Sequence, residues 1–215
     1  MGRVYDATWG RGFAAVYDRG LKATEEAGLR EMRREVLAEA RGRTIDIGAG
    51  TGVNIGLFPA AVTELVLAEP DPHMFKKLRA KLAGSGVDAV PVQAPAESLP
   101  FEDGGFDTAV FTLVLCIVPD PEAALAEAAR ILRPGGKLLF VEHVRSEEPG
   151  LARWQDRLEK PWRFLADGCH CNRDTVSLIE SSPFALEQVE RGRLPKAAPI
   201  VRPLARGSAT LPGSG

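Results

Sequence analysis

Cysteine, histidine and long apolar runs are scarce in this chain of 215 residues. With 3 Cys and 3 His, the chain has too few cysteines for a disulfide framework, and a reducing cytoplasm is the expected compartment. No apolar run approaches the roughly 18 residues of a membrane span. The N-terminal residues also lack the apolar core of a secretory signal. We therefore expect a cytoplasmic protein without a membrane span.

An excess of charge of one sign is also missing. The net charge of -2 at pH 7 provides no overall attraction to nucleic acid or to an anionic membrane. The basic runs at 30–35 and 76–81 alternate with acidic residues or fall on solvent faces, so we expect them only to keep two helices hydrated. The hydrophobic fraction of 45% and the charged fraction of 26% are ordinary for a globular protein.

Apolar strands alternate with helices along most of the chain. A first helical pattern covers 22–42 and is expected to end at Gly42. Further helices are predicted over 71–84 and from Pro121 up to Gly135 and Gly136, which follow it, and the strand at 106–115 is nearly all apolar. Continuous apolar strands separated by helices indicate a parallel sheet covered on both faces, a doubly wound α/β fold. The other strands are predicted at 44–48, 64–70, 88–93, 137–144, 185–192 and 200–205.

Three glycines, Gly48, Gly50 and Gly52, follow the first strand in "RTIDIGAGTG". Ligands bind at the carboxyl ends of strands in open α/β sheets, and glycine lets the backbone turn sharply and touch a ligand. The G-x-G-x-G spacing is shorter than the dinucleotide-binding G-x-G-x-x-G, which favours a cofactor without a pyrophosphate. Glu69 ends the second strand about 20 residues later, where a carboxylate can accept hydrogen bonds from ribose hydroxyls.

The motifs resemble those of class I S-adenosylmethionine (SAM)-dependent methyltransferases. "DIGAGTG", "LAEPDP", "AESLPFEDGGFDTAV" and "ILRPGGKLLFVEHV" occur in that order between Arg41 and Val144. The resemblance implies a Rossmann-like doubly wound sheet of seven mostly parallel strands, helices on both faces and an antiparallel last strand, with SAM as the cofactor. It implies these cofactor-binding residues: Tyr17, Asp46, Gly48, Ala49, Gly50, Gly52, Asn54, Glu69, Pro70, Met74, Ala96, Glu97, Thr112, Leu113 and Cys116.

A departure from the family pattern points to one branch. In many members an aspartate stands before the Ala-Glu pair, and this aspartate binds the adenine amine. This chain has Pro95 at that position, so adenine would be bound by the backbone of Ala96 and the side chain of Glu97. The alkyl-thiol methyltransferases of mammals and their bacterial relatives show a similar proline. The segments at 111–144 and 161–175 resemble the same branch, which implies a small thiol as methyl acceptor.

The resemblance also suggests a domain organisation. We expect an N-terminal helical lid region over 1–40, a SAM-binding methyltransferase domain over 41–206 and a flexible tail over 207–215. In the first region Tyr5, Trp9, Phe13 and Tyr17 are spaced by four and form one helix face. This aromatic stripe either packs on the sheet or closes over the reacting sulfonium.

The candidate catalytic residues lie at His143 and in "DGCHCNRD". His143 ends the fifth strand, and an imidazole with a pKa near 6.5 can act as a general base at physiological pH. Asp167 and His170 are candidates for the wall of the acceptor pocket. Cys169 and Cys171 flank His170, but adjacent residues in an extended segment point to opposite sides. The sequence alone therefore predicts no metal site.

Other functions remain open at this point. The alternatives are an O- or N-methyltransferase of a small or secondary metabolite, a bacterial phospholipid N-methyltransferase, and a SAM-binding regulator without catalysis. The expected partner is a small-molecule methyl acceptor rather than nucleic acid, and both a monomer and a homodimer are compatible with the sequence.

Overall fold

A seven-stranded sheet forms the centre of the protein, whose computed structural model describes residues 22–166 and 168–213. The strand order is β3-β2-β1-β4-β5-β7-β6, with β1 to β5 parallel and β7 antiparallel to both β5 and β6. The predicted doubly wound fold with an antiparallel last strand is therefore confirmed. The strands are β1 (Gly42–Ile47), β2 (Val62–Ala68), β3 (Val90–Val92), β4 (Phe106–Thr112), β5 (Leu132–His143), β6 (Ala185–Arg193) and β7 (Pro203–Thr210).

Five α-helices connect or follow these strands in the described part of the chain. Three of them begin with an aspartate, Asp71, Asp120 or Asp174, whose side chain accepts hydrogen bonds from backbone N–H groups of the first turn. No helix within residues 22–166 and 168–213 is long and apolar enough to cross a membrane. The helices are α1 (Arg30–Leu37), preceded by a π-helical turn (Glu25–Leu29), α2 (Pro72–Ala83), α3 (Pro121–Ile131), α4 (Pro149–Leu165) and α5 (Thr175–Glu180), with a 3₁₀ turn at Pro199–Val201.

The sheet is buried on both faces because side chains alternate along its central strands. On β4, Phe111 packs in the cluster formed with α3 and α5, whereas its neighbour Val110 packs in the cluster formed with α1. On β5, Phe140 packs in the first of these clusters and its neighbour Leu139 packs in the second. This two-sided burial explains the continuous apolar runs at 109–111 on β4 and 138–141 on β5.

Gly42 opens β1 and does not end the first helix as predicted. The helix stops at Leu37, and Gly42 has a φ of 61°. A Cβ on Gly42 would lie 2.1 Å from Oδ2 of Asp107, the same oxygen that accepts a hydrogen bond from the Arg43 N–H at 2.7 Å. Glycine is needed here so that the Asp107 carboxylate can approach the backbone.

Two further element ends differ from the sequence prediction. β4 stops at Thr112 rather than Leu115, because Leu113 has a φ of 59° and leaves the extended conformation. The helix predicted to continue up to Gly135 ends at Ile131, and β5 begins directly after it. Leu132 is already extended and pairs with Phe106 of β4, and Pro134 disfavours helical geometry at Arg133.

The last strand continues into the segment predicted as a flexible tail. β7 extends to Thr210, so the predicted boundary at 206 falls inside a strand that pairs on both sides. A Cβ on Gly207 would lie 1.9 Å from the Gln188 carbonyl oxygen. The absence of a side chain at Gly207 therefore permits the close pairing of β6 and β7.

Candidate active site

The three glycines after β1 have different surroundings, although all have positive φ values of 70°, 58° and 81°. A Cβ on Gly48 would lie 2.6 Å from Val114, and one on Gly52 would lie 2.6 Å from Ile55. A Cβ on Gly50 would meet nothing within 4 Å. The outer two glycines therefore serve packing, whereas Gly50 faces open space that a ligand can occupy.

Glu69 lies beside this open face at the end of β2. Its Oε2 accepts a hydrogen bond from the Gly50 N–H at 2.8 Å, and its Oε1 accepts one from the Asp71 N–H at 2.8 Å. Burial raises the pKa of Glu69 to about 7, although these two backbone bonds act in the opposite direction. The structure thus brings together two predicted cofactor residues, and the oriented carboxylate can accept hydrogen bonds from hydroxyl groups.

Asp46, Asn54 and Thr112 form a buried polar network behind the glycine loop. The Asn54 amide nitrogen lies 3.1 and 3.0 Å from the two carboxylate oxygens of Asp46, and 3.0 Å from the Thr112 hydroxyl oxygen. Burial raises the pKa of Asp46 to about 7, while the Asn54 hydrogen bond and the charge of Arg33 lower it. Three residues predicted for the cofactor site therefore contact one another.

Arg33 belongs to this network, and the sequence-based expectation for it was wrong. The basic run at 30–35 was expected only to keep a helix hydrated, but Arg33 is 1% exposed. Its Nη1 donates to the Thr112 hydroxyl at 2.6 Å and to Asn54 Oδ1 at 3.2 Å, and its Nε lies 3.2 Å from Glu25 Oε1. The signal was its spacing of four from both Leu29 and Leu37, which puts it on the apolar helix face.

The remaining predicted cofactor residues within the described ranges lie near the ends of β1 to β4. Glu97 Oε1 accepts a hydrogen bond from the Asp120 N–H at 3.3 Å, and Pro70 is exposed. Leu113 donates its backbone N–H to the Val141 carbonyl at 2.8 Å. Tyr17, the aromatic stripe of the expected lid and Asp167 lie outside the described residues. The buried members of the set are Ala49, Met74, Ala96, Leu113 and Cys116.

A second group of side chains lies after β4 and β5, where Cys116, His143 and Cys169 converge. All three are buried, and their sulfur and imidazole nitrogen atoms lie within 4.8 Å of one another. His143 Nε2 is 2.8 Å from Cys169 Sγ, which also accepts a hydrogen bond from the Trp162 indole N–H at 3.3 Å. The predicted catalytic residue His143 therefore contacts a sulfur atom.

The charges within this cluster are strongly coupled. The hydrogen bond from the Cys116 thiol and the positive charge of His143 lower the pKa of Cys169 to about 4, against the opposing effect of burial. Burial raises the pKa of Cys116 above its ordinary value. Burial also lowers the pKa of His143, but the neighbouring Cys169 outweighs it and the net shift is upward. The cluster thus favours a thiolate at Cys169.

The three adjacent residues of "CHC" point to three different places. The expected extended segment would have put Cys169 and Cys171 on one side, but the chain turns here, with the Arg173 N–H donating to the His170 carbonyl at 3.4 Å. His170 does not join the cluster through its side chain: its Nδ1 lies 3.0 Å from Glu159 Oε1, while its backbone N–H donates to the Cys116 carbonyl at 2.8 Å. The Cys171 thiol lies 3.5 Å from the Gln155 carbonyl oxygen. Only Cys169 turns toward His143, and no periodicity in the sequence indicates which of the three would.

The cluster and the glycine loop are neighbours through the segment after β4. Val114 is the side chain that a Cβ on Gly48 would strike, and Cys116 follows two residues later. Glu142, next to His143, holds this segment because its Oε1 accepts hydrogen bonds from the N–H groups of Val114 at 2.7 Å and Leu115 at 3.1 Å. The open face of Gly50 and the sulfur-rich cluster therefore belong to one edge of the sheet.

Comparison with known proteins agrees with this architecture. Residues 45–140 match a family model described as a methyltransferase domain. A SAM-dependent methyltransferase structure from Methanosarcina mazei superposes with a TM-score of 0.67 at 21% identity, covering 84% of this chain and 96% of that chain. Residues 45–140 are therefore similar to a methyltransferase domain, and the fold is the one found in these solved methyltransferase structures.

Two curated human relatives are more similar in sequence. Thiol S-methyltransferase TMT1B is 37% identical over 145 residues, which is 66% of this chain and 59% of the relative. Thiol S-methyltransferase TMT1A is 32% identical over 157 residues, which is 71% of this chain and 64% of the relative. The matches thus span about three fifths of each relative's length. They confirm the resemblance to the thiol methyltransferase branch of the SAM-dependent family.

Proposed function

We propose that this chain is a SAM-dependent methyltransferase that transfers a methyl group to the sulfur of a small thiol. One observation carries the proposal: the open face of Gly50 beside Glu69 shares a sheet edge with the buried cluster of Cys116, His143 and Cys169. The printed names of the human relatives, both thiol S-methyltransferases, support the choice of sulfur as the acceptor atom.

The residues of the glycine loop fit a nucleoside-containing cofactor. A ligand can approach the Gly50 backbone because a Cβ there would meet open space, and the Glu69 carboxylate next to it suits two ribose hydroxyls. Asp46, Asn54 and Thr112 line the interior behind the loop and are proposed to keep it in place. When bound, SAM supplies a methyl group activated by its sulfonium charge.

The acceptor side is better suited to a thiol than to a hydroxyl group. A thiol with a pKa of about 8.5 already contains some thiolate at neutral pH, whereas an aliphatic hydroxyl needs a strong base or a metal. The carboxylate closest in sequence to His143, Glu142, is buried and accepts two backbone hydrogen bonds through Oε1. The protein's main contribution is then to hold the reactants together, an effect of roughly 7–11 kcal/mol.

Cofactor affinity is expected to fall as the pH drops through about 7. The ionised Glu69 carboxylate accepts stronger hydrogen bonds from hydroxyls than the protonated acid does. Burial raises its pKa to about 7 in the free protein, with Asp46 and Asp71 as acidic neighbours. Because the pKa of Glu69 is raised, the ionised form that binds hydroxyls is lost as the pH falls through that pKa. Calorimetric titration should therefore give a dissociation constant for S-adenosylhomocysteine about tenfold higher at pH 6 than at pH 8.

The variant Glu69→Gln tests this assignment. It cannot ionise, so it should bind more weakly than wild type at pH 8 and show a shallower pH dependence. We attribute the pH dependence of affinity that remains in this variant to Asp46, whose pKa is also raised to about 7. An affinity that rises toward low pH in the wild type, or a Glu69→Gln protein with wild-type affinity at pH 8, would show that Glu69 does not bind the ribose.

The acceptor is identified by a labelling experiment. The protein is incubated with SAM carrying an isotopically labelled methyl group and with matched thiols, phenols and amines on the same carbon skeleton. We expect the label on the sulfur of the thiol series. A label found only on oxygen or nitrogen would replace thiol methylation with one of the other small-molecule reactions, and binding of SAM without any transfer would favour a regulatory role.

A further inference from the structure

The cluster of Cys116, His143 and Cys169 has the composition and spacing of a metal site. Two cysteine sulfurs and one imidazole nitrogen from three separate segments lie within 4.8 Å of one another, in a buried position. Thiolate and imidazole are ligands that Zn²⁺ prefers, and tetrahedral bonds of about 2.0–2.3 Å separate two ligand atoms by roughly 3.5 Å. His143 Nε2 and Cys169 Sγ, which lie 2.8 Å apart in the hydrogen-bonded cluster, therefore have to move slightly apart when an ion enters. The proposed methyl transfer does not by itself require two cysteines here.

We propose that Cys116, His143 and Cys169 bind one Zn²⁺ ion, whose fourth coordination position takes the sulfur of the thiol acceptor. The second half of this statement rests on the proposed function; the metal site itself does not. A zinc site with three protein ligands and one open position is the catalytic kind, whereas closed structural sites use four protein ligands.

The neighbouring residues His170 and Cys171 do not supply a fourth ligand. His170 is paired with Glu159, and Cys171 lies against the Gln155 carbonyl, so neither turns toward the cluster. Within residues 22–166 and 168–213, the only group of three or more His, Cys, Asp or Glu with this proximity is Cys116, His143 and Cys169. A fourth ligand therefore has to come from outside this set.

A zinc ion would also neutralise the negative charge of the two buried thiolates. Two thiolates and one Zn²⁺ sum to zero, which avoids burying a net charge. The indole N–H of Trp162 already donates to Cys169 Sγ at 3.3 Å, and such outer hydrogen bonds orient a metal-binding ligand. Arg173, fixed by the carbonyls of Leu115 and Val118, offers a positive charge to balance a third thiolate from the acceptor.

The binding step is balanced as a ligand exchange. The acceptor's sulfur–hydrogen bond breaks, the proton passes to the buffer, and a sulfur–zinc bond forms at the open position. The acceptor is then held as a thiolate at neutral pH without a separate base. Zinc binding itself releases the protons of whichever cysteines are still thiols in the metal-free protein.

Cobalt substitution tests the metal site without any measurement of activity. The full-length protein is stripped with a chelator, kept reduced with a non-thiol reductant, and titrated with Co²⁺. We expect one Co²⁺ per chain, with the visible bands of a tetrahedral ion and thiolate-to-cobalt charge transfer, both removed by added Zn²⁺. Cys116→Ser and Cys169→Ser should each weaken Co²⁺ affinity by more than about 100-fold.

The matched control is Cys171→Ser, a buried cysteine two positions from Cys169 whose sulfur faces away from the cluster. It should keep the wild-type cobalt spectrum. Because a serine variant in the core can fail to fold, cadmium NMR on the unmodified protein provides a second readout, with a chemical shift expected for two thiolates and one nitrogen. Absence of stoichiometric metal, or loss of the spectrum in Cys171→Ser with retention in Cys169→Ser, would overturn the site.

Adding 2-mercaptoethanol to the cobalt protein tests the fourth position. A stronger charge-transfer band, indicating a third thiolate, is the expected result; an unchanged spectrum would overturn acceptor binding by the metal. The two proposals can fail separately. Methylation of thiols by protein that binds no metal contradicts only the zinc site, whereas a metal-binding protein that methylates no thiol contradicts only the proposed function.

Discussion

Gly50→Val is expected to weaken SAM binding at least about 100-fold, or about 2.7 kcal/mol. A Cβ added to Gly50, next to Glu69, would have no atom within 4 Å. A branched side chain there would therefore fill the space proposed for the cofactor. Gly48 and Gly52 cannot serve this test, because a side chain there would collide with Val114 or Ile55 and disturb the fold. Calorimetric titration with SAM measures the effect.

Gly56→Val is the matched control for backbone strain. Gly56 lies in the same turn region, has a φ of 80° against 58° for Gly50, and also has nothing within 4 Å of an added Cβ. Both valines therefore carry a left-handed penalty of about 1–2 kcal/mol. Only Gly50→Val should lose the rise in melting temperature that SAM causes. Wild-type affinity in Gly50→Val, or an equal loss in Gly56→Val, would exclude the open face of Gly50 as the cofactor site.

Arg33→Met is expected to reduce the free energy of unfolding by about 3–5 kcal/mol. The guanidinium is 1% exposed and holds the Thr112 hydroxyl and the Asn54 carbonyl oxygen, with Glu25 as its ion-pair partner. Methionine retains much of the length of the side chain but none of its hydrogen-bond donors. The variant therefore leaves buried polar atoms without partners and also raises the pKa of Asp46 further, because it removes a positive charge. Urea denaturation monitored by circular dichroism measures the loss.

Arg34→Met is the control on the same helix. Arg34 pairs with Glu31 at the surface, with half of its side chain exposed, and such pairs contribute about 0–1 kcal/mol. If Arg33→Met costs no more than Arg34→Met, the network does not stabilise the fold. A second consequence concerns binding: cofactor affinity should fall in Arg33→Met, since Asn54 and Thr112 lose the group that positions them.

The sequence was sufficient to predict the alternation of strands and helices and the sites where several of these elements begin. Asp71 and Gly84 flank α2 as expected, because capping depends on residues adjacent to the helix. The glycine loop and Glu69 were also predicted in their correct places, since their spacing follows from two consecutive strands of a parallel sheet. Local chemistry determined these features.

Element ends that depend on long-range contacts were not predicted. Glycine commonly follows a helix, which is why Gly42 was expected to end one. In the structure Gly42 begins β1, where the carboxylate of Asp107 on β4 lies against its backbone. Similarly, the turn at Leu113 and the pairing of Gly207 with β6 are visible only when neighbouring strands are in position. A residue type permits several local conformations, and the tertiary contact selects one.

By itself, the sequence determined the fold class, the position of the glycine loop and the choice of His143 as a residue of interest. Only the tertiary structure decided that Arg33 is buried and that Cys169, rather than Cys171 or His170, meets Cys116 and His143. These three come from segments far apart in the chain, and residues that converge across a sheet edge leave no periodic pattern in one sequence. The proposed acceptor side therefore depends on packing, whereas the proposed cofactor side depends on a local motif.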